Sequence, residues 1–432
     1  MPAPNLNSAP VVPAADAHTS RHSVWRALGP GLVFAGAAVG VSHLVQATRA
    51  GAEAGLAFAP FIAAALFFKF PTFSLAPRYA AARGQSLLAG YLQLSPAALA
   101  FFCLYSLATM AIILGAVTFV TAGLVGALLA PDMSTTLISA LLLGLCALLL
   151  GSGRYAALDR AIKVAVAVLT LGTLVATLMA ATRLPWAQLS LWPTELPEGD
   201  TLAFLASLMG WMPAPVEIAV WHSLWTLARP EPQDDRGCRI DTLVGYLGTA
   251  VLAFCFLALG AAVFYGRDVD LAGGAAAFAT QLIQVYGELL GSWARPLLGG
   301  AALAVMFSTT ITIADAYPRA IAASFDLFSA RTTRHQETQR RTRTWVARLT
   351  FAVSALGAVL LIARFRDNLG AFVDFATLLA FLTGPIFAWL NHRVVFHLDT
   401  NPIAGVWMRR WSTSGIVFLA GCALFFLYAG RL

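Results

Sequence analysis

The sequence predicts an all-α integral membrane protein with about eleven transmembrane helices. Its 432 residues are 59% hydrophobic and only 11% charged, whereas a soluble domain carries about 25% charged residues. Many of its apolar runs approach or exceed the roughly 20 residues that a helix needs to cross a hydrocarbon core. Because these runs are continuous and do not alternate with polar residues, they predict helices and not the strands of a barrel.

Eleven apolar runs are candidates for spanning a bilayer. They are residues 28–48, 57–77, 97–129, 135–151, 161–181, 201–227, 241–265, 294–317, 345–363, 370–391 and 412–430. The third run is long enough to predict a tilted helix or one with an interfacial turn. Residues 1–27, rich in Pro, Ala and Ser, predict a disordered cytoplasmic tail, which leaves residues 28–432 as a single transmembrane domain.

Lys and Arg residues are unequally distributed between the two sides. With the N-terminus placed inside, the inner segments carry 20 basic residues and the outer segments carry 7. Short cytoplasmic loops of membrane proteins are enriched in Lys and Arg. We therefore expect a cytoplasmic N-terminus and an external C-terminus, in a bacterial inner membrane. The same rule explains the net charge of +7, so we expect a lipid bilayer and not nucleic acid as the partner.

The sequence contains none of the enzyme motifs that we sought. There is no GxxxxGK[ST], HExxH, G-x-S-x-G or CxxC pattern, and each of these is a signature of a distinct chemistry. The five cysteines lack metal-type spacing, which is typical of small core residues. We therefore expect neither enzymatic activity nor a cofactor.

Two of the eleven spans are interrupted. In the first span, the run Gly40-Val41-Ser42-His43 brings a Gly, a Ser and a His to membrane depth. In the sixth span, two prolines and a carboxylate occur in the run Met212-Pro213-Ala214-Pro215-Val216-Glu217. Proline removes a backbone donor, so the helix should break near Met212. Unpaired backbone groups at this depth must line a polar cavity or be buried in protein.

The two breaks are five spans apart, which is typical of a five-plus-five inverted repeat. In such folds, two discontinuous helices meet near the membrane midplane and form the binding site. We place the first repeat at 28–181, the second at 201–391 and an extra helix at 412–430. The alternative is that the Gly and Pro residues only kink two ordinary helices.

Short motifs in the two broken spans resemble the Nramp family of divalent-metal transporters. Gly29-Pro30-Gly31 and Ala50-Gly51-Ala52 are similar to the start and end of the family's first helix, and Met212-Pro213 is similar to the Met-Pro of its sixth helix. The resemblance implies a LeuT-like fold and transport by alternating access. Eleven spans with the N-terminus inside also fit the family.

The chain departs from the family at the metal site. The family's Asp-Pro-Gly-Asn aligns with residues 40–43, so the metal-binding Asp is missing and His43 replaces the Asn. The Met is kept at Met212, whereas both family His residues of the sixth helix are lost. The resemblance implies that the backbone carbonyl one turn earlier, at Met209, binds the metal.

Several residues are candidates for binding substrate, each with a structural alternative. His43 is either a metal ligand or a packing histidine. Met209 and Met212 are three residues apart, on one helix face, and either ligate a soft metal or fill the core. With Pro215 at the first position of the second half-helix, Glu217 falls at the third and either caps it or acts as a cation ligand, proton acceptor or partner of Lys69.

Four further residues are candidates for coupling or charge pairing. Lys69 is an unusual charge within a span and is expected to pair with Glu217, Asp315 or Asp374. Asp315 has Arg319 four residues away as an alternative partner. His222 follows Glu217 and either relays a proton or is an interfacial histidine.

The function expected from these features is secondary-active transport, with a divalent metal cation as the substrate and protons as possible partners. The alternatives are a transporter of an organic solute or amino acid, whose carboxylate a half-helix N-terminus can bind, and a membrane sensor that binds ligand without net flux. The expected binding residues are Gly40, Val41, His43, Met209, Met212 and Glu217.

Overall fold

The structure is a computed structural model that describes most of the chain. The described residues are 29–130, 132–152, 155–184, 186, 189–194, 197–229, 234–267, 274–329, 336–365, 367–398 and 403–429. The predicted tail at residues 1–27 lies outside the described residues.

All regular elements in the described ranges are helical. In chain order they are α1 (Pro30–Ala38), a π-helical turn (Ser42–Ala47), α2 (Thr48–Ala54), α3 (Ala59–Arg83), α4 (Leu87–Leu94), α5 (Pro96–Leu128), α6 (Thr135–Ser152), α7 (Tyr155–Ala181), α8 (Gly199–Trp211), α9 (Ile218–Leu227), α10 (Asp235–Phe264), α11 (Ala275–Leu290), α12 (Ala294–Ser329), α13 (Gln336–Arg364), α14 (Leu369–His397) and α15 (Val406–Ala429).

The predicted count of eleven spans is confirmed. Within the described ranges, nine helices are long and apolar enough to cross a membrane. The remaining two spans are the interrupted ones: α1 continues after a gap into the π-helical turn and α2, and α8 continues after a gap into α9. We call residues 39–41 the first break. The second break comprises residues 212–217 together with the open carbonyl groups at the end of α8 that precede them.

The first broken helix packs closely along α10 because small residues allow the two backbones to approach. A Cβ atom added to Gly31 would lie 2.2 Å from the carbonyl oxygen of Asp241, and one added to Gly245 would lie 2.3 Å from that of Gly31. At the other end, a Cβ on Gly51 would lie 2.0 Å from the carbonyl oxygen of Leu257. Small residues at helix interfaces are typical of membrane proteins. The two glycine motifs of the first span therefore have a packing role.

The start of α1 is fixed by a carboxylate of α10. The backbone N–H groups of Gly29 and Gly31 donate to the two carboxylate oxygens of Asp241, at 2.8 and 2.7 Å. The first N–H groups of a helix lack partners within the helix and carry partial positive charge. Asp241 supplies both an acceptor and the opposite charge, so it ties α1 to α10 at this end of the molecule.

Two short helices were not predicted because neither is long enough to span a membrane. Helix α4 has eight residues and begins after Ser86, whose hydroxyl accepts from the backbone N–H of Ala89 at 3.4 Å. This is an ordinary N-cap. Helix α11 is amphipathic and buries Phe278, Leu282 and Tyr286 along one face.

Candidate functional site

The first break frees backbone carbonyls that a threonine hydroxyl partly satisfies. Helix α1 ends at Ala38, and the chain resumes helical geometry at the π-helical turn. The hydroxyl of Thr309, on α12, lies 3.0 Å from the carbonyl oxygen of Gly36 and 3.4 Å from that of Val39. A Cβ on Gly40 would lie 3.1 Å from the Thr309 side chain. The first break is thus held against α12.

The second break lies where the prolines predict it, but the following helix begins later than expected. Met212 is extended, with φ −86° and ψ 120°, and α9 begins at Ile218. Pro215 therefore precedes the helix instead of starting it. Glu217 occupies the N-cap position, and its side chain makes no capping hydrogen bond. Helix capping does not account for this carboxylate.

The two breaks meet at a small cavity. Ser42 Oγ lies 3.3 Å from the carbonyl oxygen of Pro213. The cavity beside them has a volume of about 20 Å³, which is room for about one water molecule. Its lining is mostly apolar and consists of Ala37, Ala38, Val41, Ser42, Ile113, Val117, Trp211, Ala214, Pro215, Ile218, Trp221, Thr309 and Ile313.

Lys69 of α3 binds the carbonyl groups of the second break. Its Nζ donates to the carbonyl oxygens of Met209 at 2.6 Å and Gly210 at 2.7 Å, and lies 3.5 Å from that of Ala214. The carbonyl of Met209 has no partner four residues on, because Pro213 lacks an N–H group. The buried ammonium group replaces the missing donor. The second break is therefore a cluster of carbonyl oxygens that already holds a positive charge.

Of the three carboxylates expected as partners of Lys69, the two aspartates pair with arginines instead. Asp315 pairs with Arg319 at 2.6 Å, which was the alternative given for it. Asp374 pairs with Arg49 at 2.9 Å. Pairing of Lys69 with either of these aspartates is therefore wrong. Among the described residues, Lys69 forms no direct ion pair with Glu217 either. Its hydrogen bonds go to backbone carbonyl groups, and the two charges attract each other only at longer range.

Glu217 is buried and only half engaged. The hydroxyl of Tyr105, on α5, donates to Glu217 Oε1 at 3.1 Å. Within the described ranges, Oε2 is buried without a hydrogen-bond partner. Buried polar atoms are normally paired, so Oε2 is an acceptor available to a cation or a proton at the end of the second break.

His43 is fully buried and both of its ring nitrogens are engaged. Nε2 lies 3.0 Å from the carbonyl oxygen of Thr249 and Nδ1 lies 2.7 Å from Ser42 Oγ. Because a carbonyl oxygen only accepts, Nε2 of the neutral ring carries the proton. Nδ1 faces the Ser42 hydroxyl, whose single proton is shared between this nitrogen and the carbonyl oxygen of Ala38 at 2.8 Å. Both ring nitrogens therefore face protein groups at hydrogen-bond distance, which leaves no open position for a metal. The geometry is that of the packing histidine that was the alternative for this residue.

The remaining candidates differ in their surroundings. His222, on α9, is stacked on Phe34 with ring centroids 5.6 Å apart, and neither of its ring nitrogens has a partner among the residues that the structure describes. Met209 and Met212 are both buried. They do not share a helix face as expected, because Met212 has already left the helix.

A polar cluster missed by the sequence analysis connects three helices at the α2 end of the first broken helix. Arg49 donates to both carboxylate oxygens of Asp374, at 2.9 and 3.2 Å, and its guanidinium lies 4.5 Å from the ring centroid of Phe204. Gln46 and Ser207 also donate to Asp374 Oδ1, at 3.0 and 3.2 Å. These four polar residues, which we call the Arg49 cluster, join the π-helical turn and α2 to α8 and α14. Asp374 had no distinguishing sequence feature, and Arg49 is 325 residues away from it.

Comparisons with known proteins agree with this architecture. A family profile described as "Natural resistance-associated macrophage protein-like" matches residues 31–428. An uncharacterized protein of Pasteurella multocida is 33% identical over 418 residues, which are 94% of this chain and 93% of that protein.

Two solved structures show the same fold at low sequence identity. A manganese transporter of Eremococcus coleocola, solved as a variant, is 14% identical with a TM-score of 0.73, covering 95% of this chain and 88% of that chain. The transporter MhsT, solved with L-phenylalanine, is 14% identical with a TM-score of 0.62, covering 92% of this chain and 98% of that chain.

The chain belongs to the Nramp family. The predicted all-α, LeuT-like architecture with broken first and sixth helices is confirmed. Members of the family are secondary-active transporters of divalent metal ions, which use alternating access and are not enzymes. The expectation of a transporter instead of an enzyme is thereby confirmed.

Proposed function

We propose that this chain transports a divalent metal cation, which binds at the second break and is reached alternately from the two sides of the membrane. The observation that supports this most strongly is the carbonyl cluster of Met209, Gly210 and Ala214. It lies 2.6, 2.7 and 3.5 Å from a buried ammonium group, so its electrostatic preference is for a cation. Unwound backbone at a helix break is the usual cation ligand in this class of fold.

The proposed ligands differ from those that the family resemblance implies for the first helix. His43 uses both ring nitrogens within the protein, so we assign it to packing. We propose the carbonyl oxygen of Met209, the thioether of Met212 and Oε2 of Glu217 as ligands. Within the described ranges, there is no cluster of three or more His, Cys, Asp and Glu residues. A set poor in carboxylates favours weak binding. The thioether sulfur favours a soft ion such as Cd²⁺ over Mg²⁺, whereas the carbonyl and carboxylate oxygens also suit Mn²⁺.

Alternating access requires contacts that open in turn on the two sides of the site. The Arg49 cluster closes one end of the broken helices. At the other end, Asp241 ties α1 to α10, and Arg78 joins α3 to α10 through Asp235 at 2.5 Å. We propose that these two groups of contacts break alternately.

Orientation and domain limits follow from the charge bias and the positions of the breaks. We propose a bacterial inner membrane with the N-terminus cytoplasmic and the C-terminus outside, which places the Arg49 cluster near the outer surface. We further propose repeats at 28–181 and 201–391, with 412–430 as an extra helix. The two breaks then occur in the first helix of each repeat.

A second candidate substrate is a small organic molecule. The cavity between the breaks is lined mostly by apolar side chains, and the indole N–H groups of Trp211 and Trp221 have no partner in the part of the chain that the structure covers. The chemistry of this lining suits an apolar or amino-acid solute better than a bare ion. Because the cavity of about 20 Å³ holds only about one water molecule, such a solute would enter only after the two breaks move apart. A sensor that binds without transport remains the third outcome of the test below.

Uptake into liposomes tests these candidates directly. Purified full-length protein is reconstituted, and entry of Mn²⁺, Cd²⁺ and Mg²⁺ is followed with a metal-sensitive dye, beside radiolabelled amino acids. We expect Mn²⁺ or Cd²⁺ uptake that falls at least tenfold in Glu217→Gln, a variant of nearly unchanged shape. An internal pH dye reports whether protons move with the ion. Uptake of an amino acid without any metal would favour the second candidate, and binding without flux would favour a sensor.

A further inference from the structure

Lys69 occupies the position in which a substrate cation would bind. Lys69 lies in the interior of α3, and the whole residue is 2% exposed. The shortest contacts of its ammonium group are with the carbonyl oxygens of Met209 and Gly210. A metal ion bound to the Met209 carbonyl would lie within a few ångströms of this charge. Two positive charges at such a distance repel strongly in a medium of low dielectric constant.

We propose that Lys69 is a tethered competitor that sets the cation specificity of the site. A substrate ion binds only by displacing the ammonium group from the carbonyls of the second break. This inference rests on the proposed function, because it assigns the same carbonyl cluster to the substrate cation.

Competition from a fixed single charge discriminates between ions by their charge. A monovalent ion gains about as much from the carbonyl dipoles as the ammonium group does, and the ammonium group has the advantage of a high effective concentration. A divalent ion gains roughly twice the electrostatic energy at the same distance. A divalent ion also loses more hydration free energy, and the further ligands Met212 and Glu217 must compensate this cost. With those ligands, the site excludes Na⁺ and K⁺ at ordinary concentrations and accepts divalent ions with reduced affinity.

The displaced ammonium group has a carboxylate toward which it can move. Glu217 makes no direct ion pair with Lys69, its charge attracts that of Lys69 at longer range, and its Oε2 has no partner among the described residues. Because each carboxylate oxygen can accept more than one hydrogen bond, Glu217 can bind the ion through Oε2 and accept from the displaced ammonium group through Oε1, beside the Tyr105 hydroxyl. Movement toward Oε1 would keep the charge of Lys69 compensated while the ion occupies the break.

The expected size of the effect follows from the fraction of time that the carbonyls are free. If the ammonium group holds them about 99% of the time, the apparent affinity for the ion is reduced roughly 100-fold. Removing the charge should therefore raise the affinity at least tenfold. A purely structural role, in which Lys69 caps the end of α8, predicts lower stability and no gain in affinity.

The test is calorimetric titration of purified full-length protein with MnCl₂ and CdCl₂. The variants are Lys69→Met, which removes the charge at similar length, and Lys69→Arg, which keeps it. The matched control is Lys163→Met, which changes the only other lysine in the chain. Each titration is repeated in 100 mM NaCl and in 100 mM choline chloride, so that competition by a monovalent ion is separated from ionic strength. Lys69→Gln replaces Lys69→Met if the latter does not fold.

We expect at least tenfold tighter Mn²⁺ or Cd²⁺ binding in Lys69→Met, and competition by NaCl in that variant alone. Lys69→Arg and Lys163→Met should resemble the wild type. Metal binding to the wild type that is unchanged or weakened in Lys69→Met would overturn the inference and leave the proposed function standing. Absence of metal binding in every variant would overturn both.

Discussion

Breaking the ion pair between Arg49 and Asp374 should open one side of the protein. Arg49 is bound through both terminal nitrogens, and its side chain is 7% exposed, against 30% for Asp374. Removing one partner of a fully buried pair costs about 3–5 kcal/mol, whereas a surface pair contributes about 0–1. Because the exposure of this pair is intermediate, we expect Arg49→Ala to destabilise the closed state relative to the open state by roughly 2–3 kcal/mol. That free energy corresponds to about a 30- to 150-fold larger population of the open state.

Labelling of a cysteine in the cavity measures this population. The reporter is Ala37→Cys, which lines the cavity between the breaks, in a background without the five native cysteines. The rate of reaction with a hydrophilic maleimide follows the open fraction when opening and closing are fast. We expect a rise of at least 30-fold in Arg49→Ala, and a smaller rise in Arg49→Lys, which keeps the charge but not the two parallel bonds.

The control is an ion pair of similar length on the surface. Arg319 and Asp315 lie 2.6 Å apart, with side chains 43% and 34% exposed, so Arg319→Ala should change the labelling rate by less than threefold. An equally small change in Arg49→Ala would show that this pair does not hold its side of the protein closed.

Three further predictions concern the site and its packing. His43→Ala should lower stability by roughly 1–2 kcal/mol, seen as a lower thermal midpoint, with Mn²⁺ affinity within twofold of wild type; a tenfold loss of affinity would restore His43 as a ligand. Gly210→Val should unfold or severely destabilise the protein in the same thermal assay, because a Cβ at Gly210 would lie 2.4 Å from the carbonyl oxygen of Thr377; a stable variant would show that α8 and α14 can move apart. Tyr105→Phe removes the hydrogen bond to Glu217 Oε1 and should weaken Mn²⁺ binding by about two- to tenfold in calorimetry, because the carboxylate is then less firmly positioned. Unchanged binding would show that this hydrogen bond does not position Glu217 for the ion.

Much of the architecture was predictable because its signals are local. Apolar runs of spanning length gave the eleven spans, and Pro213 and Pro215 marked the second break directly. The first break had a weaker signal, since Gly40 alone is also compatible with close packing on Thr309. The helices α4 and α11 were missed because they have only eight and sixteen residues, which is too short for a membrane-spanning helix.

The partners within the site were much less predictable. Lys69 was singled out as an unusual charge, but its shortest bonds are to backbone carbonyls about 140 residues away, and backbone groups carry no sequence signal. The partner of Asp374 is separated from it by 325 residues. A sequence shows which charges are costly in a membrane, and only the packed structure shows which groups compensate them.

The most direct test of the cation site is anomalous diffraction from crystals of the full-length protein grown with MnCl₂. Our account predicts a manganese peak within about 2.0–2.6 Å of the Met209 carbonyl oxygen, with the Lys69 ammonium group moved away from it. A peak at another place, or Lys69 still bound to Met209 and Gly210 at saturating Mn²⁺, would contradict the assignment of the second break as the substrate site.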